Sequence, residues 1–522
     1  MKKIFISSML ILISISLIGC LSFKREEGAL DFFNLSEKFS VPDGYLNIYY
    51  PLNEDIPYVN PQEFIKLMGK ATTINYIYDV YRKDNMFKVK MLFGDADGET
   101  IHQYGPEFDF SANTVLIDCD SFFSYINPST DSGISEGLMM IDAIQSNPSP
   151  VIINFDEYNI KIIKSENKYL VPFHIANLFF SGDDYDVYFN GDRVYGYDTD
   201  QIMDREIRTF ISSNLRKSSF NNKEMTSIYK EYNKNFTALA FDYFYGLKEE
   251  KIGKGLSFKD SFSNLIDGSD VDVYTNFRQQ IINLDDLHST YIFPGFYEPN
   301  TFTLPQLSAL DLGPRTIAYY NSLDELENFH YEINKTEMFE VIDNTLFIFF
   351  DSFDLDTLKK VKEYFNNSLD QKIDNIVLDI STNGGGVLGV MIQLMGFITS
   401  KNIPICYMNT LDKQTTAMYY QTSYPTINLN WYVLTSEVTF SAANLFVSVA
   451  KENEFATIIG RKSSGGACAI SFLTTPDGSC LVMSSTMKLS NLEFSSIEYG
   501  IDVDIEIEDV TLRTQIASMF NN

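Results

Sequence analysis

An apolar, β-branched run that leads into three consecutive glycines constrains the fold of this chain most strongly. The run covers residues 376–380, and Gly384, Gly385 and Gly386 follow it. Short continuous runs of this kind predict a buried strand. Glycines placed directly after a strand let the backbone turn sharply and present N–H groups to a bound atom. We therefore expect a group of backbone donors at the carboxyl end of a core strand.

A second strand-to-helix junction lies further along the chain, at Ser441. Residues 432–435 form another strand-like run, and residues 441–447 have the small and apolar composition of a buried helix. Serine at that helix start is either an ordinary N-cap or a nucleophile at the positively polarised helix end. A helix predicted over residues 387–400 completes a βα repeat. That repeat brings both loops to the carboxyl ends of neighbouring strands.

These motifs resemble the tail-specific, or C-terminal processing, serine peptidases over residues 344–510. The matching segments are residues 344–350, 379–386, 439–444 and 458–462, the hairpin around Pro476, Asp477 and Gly478, and residues 500–504. The resemblance implies an α/β fold with a ClpP/crotonase-like core. It also implies an endopeptidase that acts on polypeptide substrates through an acyl-enzyme, without a cofactor or a metal.

The resemblance assigns roles to several residues of the core. Ser441 is the nucleophile, and the backbone N–H groups of Gly384, Gly385 and Ala442 stabilise the oxyanion. Relatives with a serine–lysine dyad carry the lysine where this chain has Gly466. Lys462 lies in the preceding turn and is expected to be a solvated surface residue. Another base is therefore required.

The tricorn-like branch of the family takes its base from a histidine motif ahead of the core. Residues 284–290, Leu-Asp-Asp-Leu-His-Ser-Thr, resemble that motif and make His288 the general base. Imidazole has an ordinary pKa of about 6.5 and can shuttle the hydroxyl proton. A late glutamate would orient His288, either Glu498, the better match, or Glu493. The remaining histidines, expected to be structural, are His102, His174 and His330.

The first residues have the pattern of a bacterial lipoprotein signal peptide. Lys2 and Lys3 precede an apolar segment over residues 4–18, and a small residue precedes Cys20. The segment is too short and too early to favour a spanning helix, although an uncleaved anchor is the alternative. We expect residues 1–19 to be removed and Cys20 to be lipidated. The protein would then be exported and membrane-anchored in the bacterial cell envelope, facing the periplasm or the cell surface.

Composition and pattern divide the rest into three parts. Residues 20–222 form an α+β domain of two related units, residues 223–343 a helical lead-in with the histidine motif and a connector, and residues 344–522 the peptidase core. The chain is 45% hydrophobic with a net charge of −30, which indicates a globular protein and disfavours nucleic acid as a partner. No peptide-binding module of the PDZ type is recognised between residues 288 and 344, so the aromatic-rich N-terminal part is a candidate for substrate recognition or gating.

Four cysteines remain beyond Cys20: Cys119, Cys406, Cys468 and Cys480. They could form disulfides in three complete pairings, and the absence of Cys-x-x-Cys spacing argues against a redox dithiol or a zinc knuckle. Residues 183–200 fit a polar hairpin better than a calcium loop, because the ligand spacing and closing glutamate of an EF-hand are missing.

Two other functions fit parts of the pattern. A catalytically inactive homologue, acting as a binding or scaffold lipoprotein, would explain Asn444 where relatives usually carry glutamate, together with the missing lysine. An acyl-thioester enzyme could use the same fold and hold an enolate with the glycine loop. Export argues against the second alternative, because coenzyme A is cytoplasmic.

Overall fold

The computed structural model describes residues 23–51, 55–68, 77–94, 101–119, 137–165, 168–181, 184–308, 311–334, 337–369 and 372–520. The predicted signal peptide of residues 1–19, the predicted lipidation site Cys20, and the side chains of His102 and His330 lie outside this description. Within it, no helix has the length and apolar character needed to cross a membrane.

Helices concentrate in the lead-in and around the core sheet. They are α1 Pro61–Met68, α2 Phe173–Phe180, α3 Arg205–Leu215, α4 Ser227–Phe244, α5 Lys248–Ile252, α6 Phe258–Ser261, α7 Asp270–Asn283, α8 Pro314–Asn334, α9 Leu355–Asn367, α10 Leu388–Met395, α11 Ala442–Glu452 and α12 Arg513–Ser518. Short 3-10 turns cover Phe155–Tyr158, Asp200–Ile202 and Ser263–Ile266.

Strands run through the whole described chain. They are β1 Phe23–Asn34, β2 Gly44–Pro51, β3 Tyr58–Val59, β4 Ile77–Lys83, β5 Met86–Gly94, β6 Ile101–Tyr104, β7 Glu107–Asp109, β8 Thr114–Ile117, β9 Leu138–Gln145, β10 Val151–Asn154, β11 Ile163–Ser165, β12 Lys168–Pro172, β13 Tyr185–Phe189, β14 Val194–Asp198, β15 Thr290–Phe293, β16 Phe339–Ile342, β17 Thr345–Phe349, β18 Asn375–Asp379, β19 Ile403–Asn409, β20 Thr415–Thr422, β21 Asn430–Thr435, β22 Thr457–Gly460, β23 Cys468–Thr474, β24 Cys480–Ser490 and β25 Ile505–Glu506.

The core sheet has the order β16-β17-β18-β21-β22-β25, and every pairing except β16 with β17 is parallel. Apolar clusters cover both of its faces, as parallel sheets require. The strands predicted over residues 376–380 and 432–435 are confirmed as the neighbours β18 and β21. Their carboxyl ends, and hence the glycine loop and Ser441, meet at one edge of the sheet.

The helix predicted over residues 387–400 is shorter than expected. It ends at Met395, and the chain then tightens, because the N–H groups of Phe397 and Ile398 bond to carbonyls three residues back. Gly396 follows the helix at a close approach, where a Cβ atom would lie 1.9 Å from the Thr422 hydroxyl of β20. Contact with β20 therefore accompanies the early helix end.

The N-terminal part and the lead-in share one large apolar core. Two sheets, of order β11-β12-β3-β2-β1-β14-β13 and β10-β8-β7-β5-β4 with β6 on β5, contribute to it together with α4 and α7. Five apolar residues of the lead-in are buried there: Leu239, Phe241, Phe244, Tyr245 and Leu247. The domain boundaries at 222 and 343 stay predictions.

A fourth sheet joins the three predicted parts of the chain. Its order is β15-β24-β19-β20-β9, with β23 on β24, so it combines strands from the N-terminal part, the lead-in and the core. The polar hairpins predicted around residues 189–192 and 476–478 connect β13 to β14 and β23 to β24. Because β15 pairs with β24, the segment just before β15 is held against the core.

The four described cysteines are buried thiols. Across the β23–β24 ladder Cys468 pairs with Lys488, and Cys480 pairs with Thr474, so the two thiols that flank this hairpin do not face each other. Burial raises the pKa of the Cys468 and Cys480 thiols, which keeps them protonated. The disulfide that the sequence allowed is not formed in this structure.

Candidate active site

Ser441 lies at the sharp turn between β21 and α11. Its backbone has φ 56° and ψ −123°, a strained conformation that costs on the order of 1–3 kcal/mol for a residue with a side chain. The turn is held by hydrogen bonds from Ser441 N to Gly465 O (2.8 Å) and from Phe440 N to Asn383 O (3.1 Å). The Ser441 hydroxyl does not cap α11. This geometry, like that of a nucleophile elbow, leaves the hydroxyl available for another partner.

That partner is His288, whose Nε2 lies 3.0 Å from Ser441 Oγ. The histidine belongs to the short segment between α7 and β15. A capping box of Ser269 and Asp272 starts α7, and the pairing of β15 with β24 holds the segment on its other side. The ring of Phe440 packs against the imidazole, with 4.5 Å between ring centroids. The structure therefore brings together a serine and a histidine that are 153 positions apart in the chain.

Asp286 fixes the backbone at His288, a role that the sequence did not suggest. Its Oδ1 accepts a hydrogen bond from His288 N at 3.1 Å. Its Oδ2 accepts hydrogen bonds from the hydroxyl groups of Ser289, at 2.6 Å, and of Ser484 in β24, at 2.8 Å. The only signal in the sequence was the aspartate of the histidine motif. A buried carboxylate with several donors is a rigid support for the histidine.

The environment of His288 favours the neutral imidazole. Burial lowers the pKa of His288 below its ordinary value, Asp286 and Glu498 oppose that shift, and Arg315 reinforces it. A neutral ring can accept the proton of Ser441 at Nε2. The other ring nitrogen of His288, Nδ1, is buried and has no hydrogen-bond partner among the described residues.

Glu498 is buried, but its carboxylate bonds to residues other than His288. It forms an ion pair with Arg315, and its Oε2 accepts a hydrogen bond from Ala467 N at 2.8 Å. In the described part of the chain no hydrogen bond joins Glu498 to His288. Glu493 is exposed, with its backbone N–H bonded to Asn491. The third member of the relay therefore stays a prediction.

The predicted oxyanion donors differ in availability. Gly384 N–H donates to Asp351 O at 3.2 Å, and Gly385 N–H donates to the side chain of Asn383 at 2.8 Å. For Ala442 N–H, the first amide of α11, the described residues supply no acceptor. This amide is a free donor beside Ser441 and lies at the positive helix end.

The sequence resemblance aligns Gly466 with the lysine base of serine–lysine relatives. A Cβ atom there would lie 2.3 Å from the ring of Phe440, and the φ angle of +86° disfavours any side chain. Lys462 is about half exposed and pairs with Asp502 at 3.2 Å on the surface. Packing thus leaves no room for a lysine in that position and keeps Lys462 in solvent.

Asn444, which replaces the usual glutamate, is fully buried and structural. Its Oδ1 accepts a hydrogen bond from Ser463 Oγ at 2.7 Å, and its Nδ2 donates to Ile497 O at 3.0 Å. Both ends of the amide are satisfied, so the residue braces the loop after β22 rather than facing Ser441. Among the described residues no cluster of side chains could hold a metal ion.

Residues 344–507 match the model of peptidase family S41. The chain contains a peptidase family S41 domain. This match confirms the predicted family for that domain and the α/β class, and the family is one of serine peptidases. No curated protein matches the sequence.

Solved structures similar to this chain share little sequence with it. The photosystem II D1 C-terminal processing protease is 17% identical, with a TM-score of 0.28 over 31% of this chain and 42% of that one. A putative peptidase from Parabacteroides merdae ATCC 43184 is 16% identical, with a TM-score of 0.41 over 55% and 96%. The tricorn protease is 12% identical, with a TM-score of 0.31 over 96% and 55%. The chain thus spans less than two thirds of the first and the third.

Proposed function

We propose that this protein is an exported, lipid-anchored serine endopeptidase in which Ser441 is the nucleophile and His288 the general base. The 3.0 Å contact between Ser441 Oγ and His288 Nε2 carries the proposal. Three features support it: the strained turn at Ser441, the neutral imidazole, and the free N–H of Ala442.

The reaction follows from this geometry. Ser441 Oγ attacks the peptide carbonyl carbon while its proton passes to Nε2 of His288, and the carbonyl oxygen becomes an oxyanion. Ala442 N–H stabilises that oxyanion, since donors of this kind contribute on the order of 10²-fold or more to kcat. The tetrahedral intermediate collapses, His288 returns the proton to the leaving amine, and Ser441 carries the acyl group. Water then attacks the acyl carbon while His288 takes its proton, the ester bond to Ser441 breaks, and His288 returns the proton to Ser441 Oγ as the second product leaves.

Glu498 is the proposed third residue, and it would act on His288 through its charge. It raises the pKa of His288, although less than Asp286 does. A carboxylate near the imidazolium that forms during acylation lowers the energy of that state. Asp286 contributes to the same effect while holding the backbone of His288.

The test of the peptidase activity is cleavage of unfolded casein by the protein lacking residues 1–19. An endopeptidase produces internal fragments of many lengths, which mass spectrometry identifies. Lys462→Ala is the matched control for the base, because Lys462 lies in the turn before Gly466 and is the alternative candidate for a lysine base. This variant is expected to leave the cleavage rate unchanged. Absence of cleavage in the wild type, with no covalent labelling by a fluorophosphonate, would instead favour an inactive binding homologue.

The lipid anchor is tested separately in bacteria. We expect an alkyne fatty acid supplied to the cells to label the wild-type protein and to leave Cys20→Ser unlabelled, because Cys20 is the residue expected to carry the lipid. Cys119→Ser, at a buried thiol, is the control and should keep the label. Equal labelling of Cys20→Ser would contradict the anchor.

The activity should persist into mildly acidic solution. His288 acts only when neutral, so kcat/KM falls as pH falls through its pKa in the folded enzyme. Because burial lowers that pKa, the acid limb is expected below pH 6.5, the ordinary value. Asp286→Asn removes a carboxylate that raises the pKa and should move the limb lower still. A limb above pH 6.5 in the wild type would contradict this account.

Two adjacent glycines provide a matched pair of variants. At Gly385 the φ angle is +111°, and a Cβ atom would lie 2.8 Å from the Ser441 Cβ. At Gly384 the nearest atom would be the Tyr319 hydroxyl, at 3.4 Å. Gly385→Ala should displace Ser441 and lower kcat about 100-fold, whereas Gly384→Ala should stay within about threefold of wild type. Similar kcat values for the two variants would contradict this placement.

A further inference from the structure

Arg315 lies where the histidine motif, α8 and the core meet. It is the second residue of α8, and the start of that helix is capped from the histidine motif. Asp285 Oδ2 accepts a hydrogen bond from Arg315 N, and Oδ1 accepts from Thr316 N, each at 2.9 Å. The segment that carries His288 is therefore tied directly to the residue that bears the guanidinium.

The guanidinium then binds the loop that supports the nucleophile. Nη2 donates to Ser464 O at 2.9 Å and to Glu498 O at 2.8 Å, while Nη1 pairs with the Glu498 carboxylate. The next residue, Gly465, accepts the N–H of Ser441 through its carbonyl at 2.8 Å. Glu498 closes the same loop from the other end by accepting Ala467 N at 2.8 Å.

These contacts form one continuous connection between base and nucleophile. We propose that Arg315 is a positioning residue that fixes His288 Nε2 relative to Ser441 Oγ, by joining the capped start of α8 to the loop over residues 464–467. The inference rests on the proposed function, because it concerns the same pair. The base lies in the lead-in and the nucleophile in the core, so their relative position depends on contacts between the two. A misplacement of about 1 Å between base and nucleophile costs on the order of 100-fold in rate.

The ion pair of Arg315 with Glu498 gives a way to distinguish positioning of His288 from simple stabilisation of the fold, because it acts on the pKa of His288. The charged groups that act on His288 are Asp286, Glu498 and Arg315, and the arginine opposes the two carboxylates. Loss of the guanidinium leaves Glu498 buried without its cation, so the pKa of His288 rises. A purely structural ion pair elsewhere would change stability without moving the titration of His288.

Arg513 is that matched control. Its guanidinium pairs with buried Asp379 and with Glu340, each at 2.8 Å. Arg315→Met should lower kcat/KM on a peptide substrate about 100-fold at its pH plateau and move the acid limb to higher pH. Arg315→Lys keeps the charge but loses the fork of donors, so it should lower kcat about tenfold and keep the limb near the wild-type position. Arg513→Met should lower the melting temperature and leave the acid limb in place.

An NMR titration of the imidazole of His288 distinguishes failure of this inference from failure of the proposed function. A wild type without peptidase activity contradicts the proposed function, and the titration still tests Arg315. A higher His288 pKa in Arg315→Met than in wild type and Arg513→Met supports the inference. An unchanged His288 pKa in Arg315→Met overturns it. In an active enzyme, a wild-type kcat in Arg315→Lys also overturns it, even where Arg315→Met does not fold.

Discussion

Replacing Ser441 with alanine is expected to lower kcat for peptide hydrolysis by about 10⁶-fold, because the acyl-enzyme cannot form without the hydroxyl. KM should change little, since the methyl group of alanine removes no contact with the substrate. The measurement is steady-state hydrolysis of a fluorogenic peptide at the plateau of the pH profile. Alanine and serine meet the strained backbone conformation of this turn at a similar cost. The melting temperature should therefore stay within a few degrees of wild type.

Ser448→Ala is the matched control for that variant. Ser448 lies on the same helix, α11, is buried, and bonds to Glu452 at 3.3 Å. Its removal should leave kcat within about threefold of wild type, as expected for a buried serine that touches no reacting atom. Residual activity of a tenth or more in Ser441→Ala would show that the nucleophile is another group.

Replacing His288 with alanine is expected to lower kcat nearly as much as Ser441→Ala, and the double variant should be no worse than the more severe single variant. Nucleophile and base act as one unit, so their effects are strongly non-additive. The 3.0 Å contact is the physical reason, because the proton of Ser441 has no other base within reach in the described structure. The measurement is the double-mutant cycle in kcat.

The pH profile gives the same variant a second, independent readout. If His288 is the base, the remaining activity of His288→Ala loses the acid limb that the imidazole produces. An acid limb that survives unchanged in His288→Ala would assign the titration, and with it the base, to another residue. Additive losses in the double-mutant cycle would also contradict the pairing.

The core of the fold could be predicted because its signals are local. The run over residues 376–380 and the glycines after it combine strand pattern and backbone freedom within eleven positions of one another. The strand-to-helix junction at Ser441 is likewise indicated by residues close together in the sequence. Helix ends are less local: α10 stops at Met395, and Gly396 after it closely approaches β20, a strand further along the chain.

The supports of the site could not be predicted, since they join residues far apart in the chain. Arg315 and Glu498 are 183 positions apart, and Asp286 and Ser484 are 198. An aspartate or an arginine in isolation is usually a solvated charge. The sequence indicated His288 through a motif, but the contacts that hold it come from four separate segments.

The oxyanion loop shows a different limit. A glycine-rich motif predicts free N–H groups, yet the amides of Gly384 and Gly385 donate to Asp351 and Asn383 in this structure. The bond at Gly385 is a short-range turn made by the Asn383 side chain, whereas Gly384 donates to a backbone carbonyl in a distant segment. Ala442 is the predicted donor whose amide is open, because the first amide of a helix has no partner within the helix.

Mapping a fluorophosphonate adduct is the most direct test of the central claim, that Ser441 is activated by His288. The purified protein lacking residues 1–19 is treated with the reagent, digested and analysed by mass spectrometry, in parallel with His288→Ala. The account predicts one adduct per chain, on the peptide that contains Ser441, and labelling at least about 100-fold slower in His288→Ala. An adduct on another serine, or equal labelling rates in the two proteins, would contradict it.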